Sequence, residues 1–304
     1  MTDLIIRGSR RFLGGSDIAI SPIAWGMWRL AENGRDAAEA ARLVHTALDS
    51  GITFLDTADI YGFDGDEGFG DAESLLGKVL ATEPALRDRM VLATKGGIRP
   101  PLPYDQSPAY LAEAIDASLR RLRVETIDLY QIHRPDILSH PQEVAQTLED
   151  AVTAGKVRAL GVSNFTRSQI EALAHFLDTP LVSTQPEISP LRIDCFENGE
   201  LDQAMRLGLT PMAWSPLGGG RLLRAESERD HRVARALDTV AEVQNVSRAV
   251  AAYGWLMAHP AGIVPIIGSQ TPERIAEGAD ALRMRWTRQD WYAVLIAARG
   301  EDLP

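Results

Sequence analysis

One cysteine, Cys195, stands in 304 residues. An internal disulfide and a cysteine-ligated zinc site are thereby excluded. No apolar run approaches the ~20 residues a helix needs to cross a bilayer. The first residues, Met-Thr-Asp-Leu-Ile-Ile-Arg, lack the ~7–15-residue apolar core of a secretory signal. Basic residues are too few for a nucleic-acid binder: 31 against 42 acidic ones, a net charge of −11. The six histidines show neither His-x-His nor His-Glu-x-x-His spacing, which argues against a barrel hydrolase or lyase of zinc type. The acidic stretch 63–71 departs from a calcium loop because Gly68 takes the third ligand place, and it reads as a solvated loop. The expectation from these absences is a cytoplasmic protein with no metal, no nucleic-acid partner and no membrane contact. An anionic ligand would have to find basic groups gathered locally.

What is present is a rhythm. The apolar run 52–55 stops at Asp56, and Tyr61 and Gly62 follow. The same arrangement recurs: 91–94 ends in Lys95, 127–132 in His133, 157–162 in Ser163 and Asn164. Further on, 181–184 ends in Gln185, 211–213 in Trp214 and Ser215, and 263–268 in Ser269. Each short buried-looking run delivers a polar or aromatic group at its end, as barrel enzymes do at the catalytic ends of their strands. Between them lie helical patterns. Asp36 with Glu39 resembles a capping box, and Ala40, Leu43, Val44, Ala47 and Leu48 follow at helical spacing up to Gly51. Ser107 and Thr271 stand as caps before Pro108 and Pro272. Helices are expected at about 72–81, 108–122, 141–154, 167–177, 200–207, 230–244, 247–259 and 272–282, with a last one at 288–299. A first core strand is expected at 23–28, and a hairpin at 7–20 turning on Gly14 and Gly15. About eight strand-then-helix units imply one (β/α)8 TIM barrel over residues 1–304, with an N-terminal β-hairpin and an extra C-terminal helix. A doubly wound sheet would want Gly-x-Gly-x-x-Gly after the first strand, and Trp25-Gly26-Met27-Trp28 is not that.

The motifs identify a family. Asp56-Thr-Ala-Asp59-Ile-Tyr61-Gly62, Lys95, Ile132-His133-Arg134-Pro135, Gly155-Lys-Val-Arg-Ala-Leu-Gly-Val-Ser163-Asn164-Phe165 and Ala213-Trp214-Ser215-Pro216-Leu217 together resemble the aldo-keto reductases. The resemblance covers nearly the whole chain, in order. Glu187-Ile-Ser-Pro-Leu with Met212-Ala-Trp-Ser-Pro-Leu-Gly-Gly-Gly-Arg-Leu resembles a bacterial branch of poorly defined substrates. The resemblance implies a (β/α)8 barrel and NADP-dependent reduction of a carbonyl to an alcohol.

Hydride arriving at a carbonyl carbon leaves charge on oxygen, which must receive a proton. The resemblance makes Tyr61 the acid, its ordinary pKa being about 10. Lys95 would lower that value, Asp56 would hold the ammonium, and His133 would donate to the carbonyl oxygen. Taken singly, each has a plainer reading: a packed tyrosine with a wet hydroxyl, a structural histidine, a structural ion pair. All four at strand ends in family order favour the catalytic reading.

For the cofactor, Trp214 would stack on the nicotinamide where the family more often has Tyr. Ser163, Asn164 and Gln185 offer donors and acceptors for its carboxamide, although loop capping is the plainer role. The loop of Ser215, Pro216, Leu217, Gly218 and Arg221 would wrap the pyrophosphate. Arg274, at the start of a helix, suits a 2′-phosphate and favours NADP, and Glu277 could accept from the adenine amino group. Gly268 stands where many relatives carry Lys, so one cation is missing. The resemblance extends the cofactor site to Gly26, Met27, Asp56, Ser269 and Gln270. Trp28, Phe63, Arg134 and Arg192 would line a pocket for a polar or acidic small-molecule carbonyl substrate. A monomer or weak homo-oligomer is expected. The rival reading is an NADP-binding regulatory or sensor protein on the same fold, with little turnover.

Overall fold

A computed structural model describes residues 3, 4, 6 and 11–303. Its strands are β1 (Asp3–Leu4), β2 (Arg11–Phe12), β3 (Ala19–Ile20), β4 (Ala24–Gly26), β5 (Phe54–Asp56), β6 (Val91–Gly96), β7 (Ile127–Ile132), β8 (Val157–Ser163), β9 (Leu181–Gln185), β10 (Thr210–Ala213), β11 (Val264–Ile267) and β12 (Trp286–Thr287). The helices are α1 (Ala37–Asp49), α2 (Asp71–Thr82), α3 (Pro108–Leu122), α4 (Pro141–Thr153), α5 (Arg167–Ala174), α6 (Glu200–Leu207), α7 (Glu228–Gln244), α8 (Arg248–Met257), α9 (Pro272–Gly278) and α10 (Arg288–Arg299). Strands β4 to β11 pair in parallel and close, β11 bonding back to β4. This is the expected (β/α)8 barrel.

Two apolar layers hold it. Inside the barrel, Ala24, Phe54, Ala93, Leu129, Ala159, Val182, Met212, Val264 and Ile266 pack against one another. Leu13, Ile18 and Ile20 of the hairpin β2–β3 join that cluster, so the hairpin plugs the floor of the barrel. Gly14 makes the close approach possible: its φ is +53°, and a Cβ there would stand 2.4 Å from the Val182 carbonyl oxygen. Outside, alternate strand residues such as Trp25, Leu55, Leu92, Tyr130 and Leu160 meet the helices. With the floor plugged, the C-terminal strand ends form the open face.

Several local expectations need correction. Ser107 and Thr271 occupy N-cap positions but neither side chain caps. Instead, Ser107 N donates to Asp105 at 2.9 Å and Thr271 N donates to Ser269 Oγ at 3.2 Å. The helix expected at 272–282 is α9 followed by a 3-10 turn, Ala279–Arg283. Gly278 lies against Ile267 there, with no room for a Cβ. Helix α5 ends at Ala174, short of 177. The hairpin is observed from Arg11, and its expected start at 7–10 lies outside the described residues. The pairing of β1 with β12, which ties the N-terminal end to the segment before α10, was not expected. The capping box of Asp36 and Glu39 forms as expected.

Candidate active site

At the open face, β5, β6 and β7 deliver three of the four residues of the expected tetrad, and the loop after β5 delivers Tyr61. Asp56 ends β5 in register with Ala93 and Gly26. Lys95 is wholly buried, and its Nζ donates to Asp56 Oδ2 at 2.6 Å and to the Thr57 carbonyl at 2.8 Å. The same Nζ lies 5.0 Å from the centre of the Tyr61 ring, and its charge acts on the phenol. His133 stands edge-on to Tyr61, ring centres 5.8 Å apart. The structure therefore brings the four together.

The electrostatics differ from the sequence expectation in one respect. Burial raises the Tyr61 phenol above its ordinary value of 10.0, and Lys95 offsets this only partly. The group accordingly keeps its proton at neutral pH. For Lys95, burial disfavours the charge, but Asp56 and Tyr61 outweigh it and the net shift is upward. His133 is driven well below 6.5 by burial first, then by the Lys95 and Arg134 charges, so it is neutral. Its Nδ1 is buried without a hydrogen-bond partner.

Around this centre, Asp56 has further partners. Gln185 Nε2 donates to Oδ1 at 3.0 Å, and Gln131 Nε2 approaches it at 3.4 Å. Ser163 donates to the Gln185 carbonyl at 2.8 Å. Asn164, at φ +59°, donates to Ser163 Oγ at 2.9 Å and to the His133 carbonyl at 3.1 Å. Trp214 donates its indole N–H to Asn164 at 3.0 Å. Gly26 O accepts from Gln270 Nε2 at 3.0 Å, and Gln270 Oε1 is buried without a partner. Met27 is buried, its amide donating to the Asp56 carbonyl at 2.9 Å.

The loop after β10 turns through left-handed conformations at Ser215, Gly218, Gly219 and Gly220. Pro216 is buried and Leu217 packs on the core. Arg221 is held by Asp230 of α7 through Nε at 3.1 Å and Nη2 at 2.5 Å. Arg274 is exposed and makes no ion pair among the described residues, with Glu277 half-buried one turn on. Gly268 has open space at its Cβ position.

Of the residues expected to line the substrate pocket, Trp28 is 62% exposed with the Arg29 guanidinium over its ring. Phe63 packs edge-on to Phe69. Arg134 is half-buried beside His133, and its charge reaches that ring. Arg192 is instead held by Asp194 at 3.1 Å and Glu187 at 3.9 Å, acids of its own loop. Sequence reasoning missed Gln131, which also accepts from Ser183 at 3.2 Å. It also missed Gln106, which donates to the Arg134 carbonyl at 2.5 Å and takes Asp136 on its backbone N–H at 3.2 Å. An amide inside the apolar run 127–132 was the signal for Gln131; nothing local marked Gln106.

The chain is similar to known proteins along nearly its whole length. Residues 22–297 match the model of the aldo/keto reductase family. A 6-dehydroglucose reductase of Novosphingobium aromaticivorans is 75% identical over 304 residues, covering 100% of both chains. A 6-dehydroglucose reductase of Agrobacterium fabrum is 37% identical, over 94% of this chain and 97% of that one. The thermostable aldo-keto reductase Tm1743, solved with the inhibitor epalrestat, shares the fold at a TM-score of 0.81 with 24% identity, over 95% of this chain and 99% of that one. The chain thus belongs to the aldo/keto reductase family, an oxidoreductase that reduces carbonyl groups.

Proposed function

We propose that this enzyme uses NADPH to reduce the C6 aldehyde of 6-dehydroglucose to the primary alcohol, with Tyr61 as proton donor. The observation that carries the reading is Lys95, buried between the Asp56 carboxylate and the Tyr61 ring with the neutral His133 alongside. The substrate follows from the relative that is 75% identical along the whole chain.

The residues present fit a dinucleotide. Trp214 offers a π face fixed by Asn164. Gln270 has a buried acceptor without a donor. Three left-handed glycines open the backbone of the loop after β10 to close approach by phosphate. The exposed Arg274 offers a planar cation to a 2′-phosphate. When bound, NADPH supplies the hydride. Tyr61 gives its proton to the carbonyl oxygen, and Lys95 stabilises the phenolate left behind. His133, neutral, orients that oxygen by donating a hydrogen bond. Asp56 keeps Lys95 in place with Gln185 and Gln131 behind it. Arg134 beside His133 suits the hydroxyl groups of a sugar.

The test is loss of NADPH absorbance with 6-dehydroglucose beside a panel of simple aldehydes. Turnover of 6-dehydroglucose above the panel, reduced by at least ~100-fold in Tyr61→Phe, is the expected result. Tight NADPH binding without turnover of any carbonyl compound would overturn the reading.

A further inference from the structure

On the side of β6 turned toward the helices lies a second polar cluster that the tetrad does not use. Lys95 faces the barrel mouth, so its neighbours Thr94 and Gly96 face outward. Glu73 of α2 is buried there and accepts from Thr94 Oγ1 at 2.5 Å and from Arg121 Nε of α3 at 2.7 Å. Asp59 is wholly buried, and neither carboxylate oxygen has a hydrogen-bond partner of good geometry; the Ile60 amide acts on it only weakly. The backbone N–H of Asp59 donates to the Lys95 carbonyl at 2.9 Å, which fixes the Tyr61 loop to the strand end. The Tyr130 hydroxyl of β7 is also buried without a partner. Gly96 leaves room for both. A Cβ there would stand 2.1 Å from the Tyr130 hydroxyl and 3.1 Å from Asp59 Oδ2, so both occupy the space a side chain would fill.

Charge counting isolates Asp59. Lys95 is bound by Asp56, and Arg121 by Glu73. The cluster thus holds three carboxylates and two cations, and Asp59 is the one left without a counter-ion. A buried carboxylate in that position keeps its proton rather than its charge. We propose that Asp59 is a positioning residue for the carbonyl reduction: a neutral carboxylic acid that leaves the Lys95 ammonium to Asp56 and Tyr61. The inference rests on the reading of Tyr61 as proton donor.

The electrostatics agree with the geometry. Burial first, then the Glu73 charge, push the Asp59 carboxyl well above 3.8, against the opposing pull of Arg121 and Lys95. Tyr110 of α3 and Tyr130 of β7, both pushed up mainly by burial, complete the groups whose ionisation is linked to Asp59. Once ionised at alkaline pH, Asp59 adds an anion near the phenol and raises it further. Asp59 therefore protects the Tyr61 proton as pH rises.

Two measurements on the full chain decide the matter. In protein carrying 13C at the aspartate Cγ, one resonance should remain at the protonated-acid position at about pH 7. It should vanish in Asp59→Asn, together with the infrared carbonyl band of the acid. In the pH profile of kcat/KM, Asp59→Asn should move the alkaline limb to lower pH by roughly half a unit to one unit, whatever its absolute rate. An aspartate already ionised at neutral pH would move that limb as well, so the 13C resonance separates the two. Aspartates that are all ionised at neutral pH, or an unmoved limb in Asp59→Asn, would overturn the inference. If Asp59→Asn does not fold, the wild-type spectrum still decides. A protonated aspartate in a protein that reduces nothing would sink the proposed function and leave the charge assignment standing; the reverse result would sink only the assignment.

Discussion

The indole Nε1 of Trp214 donates to the side-chain oxygen of Asn164 at 3.0 Å, while Asn164 Nδ2 reaches the carbonyl of His133 at 3.1 Å. Asn164 sits at φ +59°, a left-handed position that Asn adopts more readily than most residues. The plane of the ring proposed to carry the nicotinamide is thus tied by one amide to the strand end that carries His133. Trp214→Ala is expected to weaken NADPH binding by about 5–30-fold, the range of a stacking contribution of about 1–2 kcal/mol. Trp214→Phe keeps a π face but loses the bond to Asn164, so its loss should be smaller. Fluorescence titration of both variants checks the order; a Phe variant as weak as Ala would mean that the hydrogen bond, not the ring face, matters.

Gly268 and Arg274 set a second expectation. Nothing stands within 4 Å of the Cβ position of Gly268, and its φ is not in the left-handed region. A lysine can therefore be placed there without strain. If the 2′-phosphate is read at the start of α9, Gly268→Lys should tighten NADPH by about tenfold, and Arg274→Ala should weaken it by about 10–100-fold. NADH affinity should change in neither variant by more than about twofold. Equal effects on both nucleotides would place the 2′-phosphate elsewhere.

Arg221 is expected to act through its partner. Its guanidinium holds Asp230, which also caps α7 with Ser227, so the pair ties the glycine loop to a helix. Arg221 is about half exposed and Asp230 fully buried, which screens part of the Coulomb energy and makes geometry the main contribution. Arg221→Ala and Asp230→Ala should each speed NADPH release by about three- to tenfold, and the double variant should be little worse than either. Stopped-flow release rates give the coupling. Additive losses would mean that Arg221 touches the pyrophosphate independently of Asp230.

The barrel was legible because its strands are buried on both faces and read as apolar runs that stop at a polar group, as 52–55 does before Asp56. The tetrad was legible for the same reason: each member ends a run or follows one closely. What was hidden depends on pairing across long separations. The β1–β12 pairing joins two-residue segments at opposite ends of the chain, too short to show periodicity. The bond of Gln106 to the Arg134 carbonyl, and the crowding of Asp59 and Tyr130 around Gly96, exist only once strands β6 and β7 are adjacent. The upward shift of Tyr61 escaped for a related reason. A sequence shows the nearby lysine but not the depth at which the phenol is buried, and here burial is the larger effect.

His259 provides one part of the pH dependence of stability. It lies against Phe196 and Trp291, and burial pushes its imidazole down to about 4. Its folded value is below the unfolded value of about 6.5, so the unfolded chain binds the proton first. The stabilisation from keeping the ring neutral is complete above about pH 6.5 and is lost as pH falls from there toward 4. His133 has a shift of the same sign, and the raised Asp59 has the opposite one, so total stability against pH mixes all three. The difference between wild type and His259→Phe isolates the first. Denaturant unfolding should show the wild type losing about 1–2 kcal/mol relative to the variant between about pH 8 and pH 5, a range discounted for the part of the ring that water reaches. A difference independent of pH would mean that His259 titrates alike in the folded and unfolded chain, and that its place against Phe196 and Trp291 costs it no proton affinity.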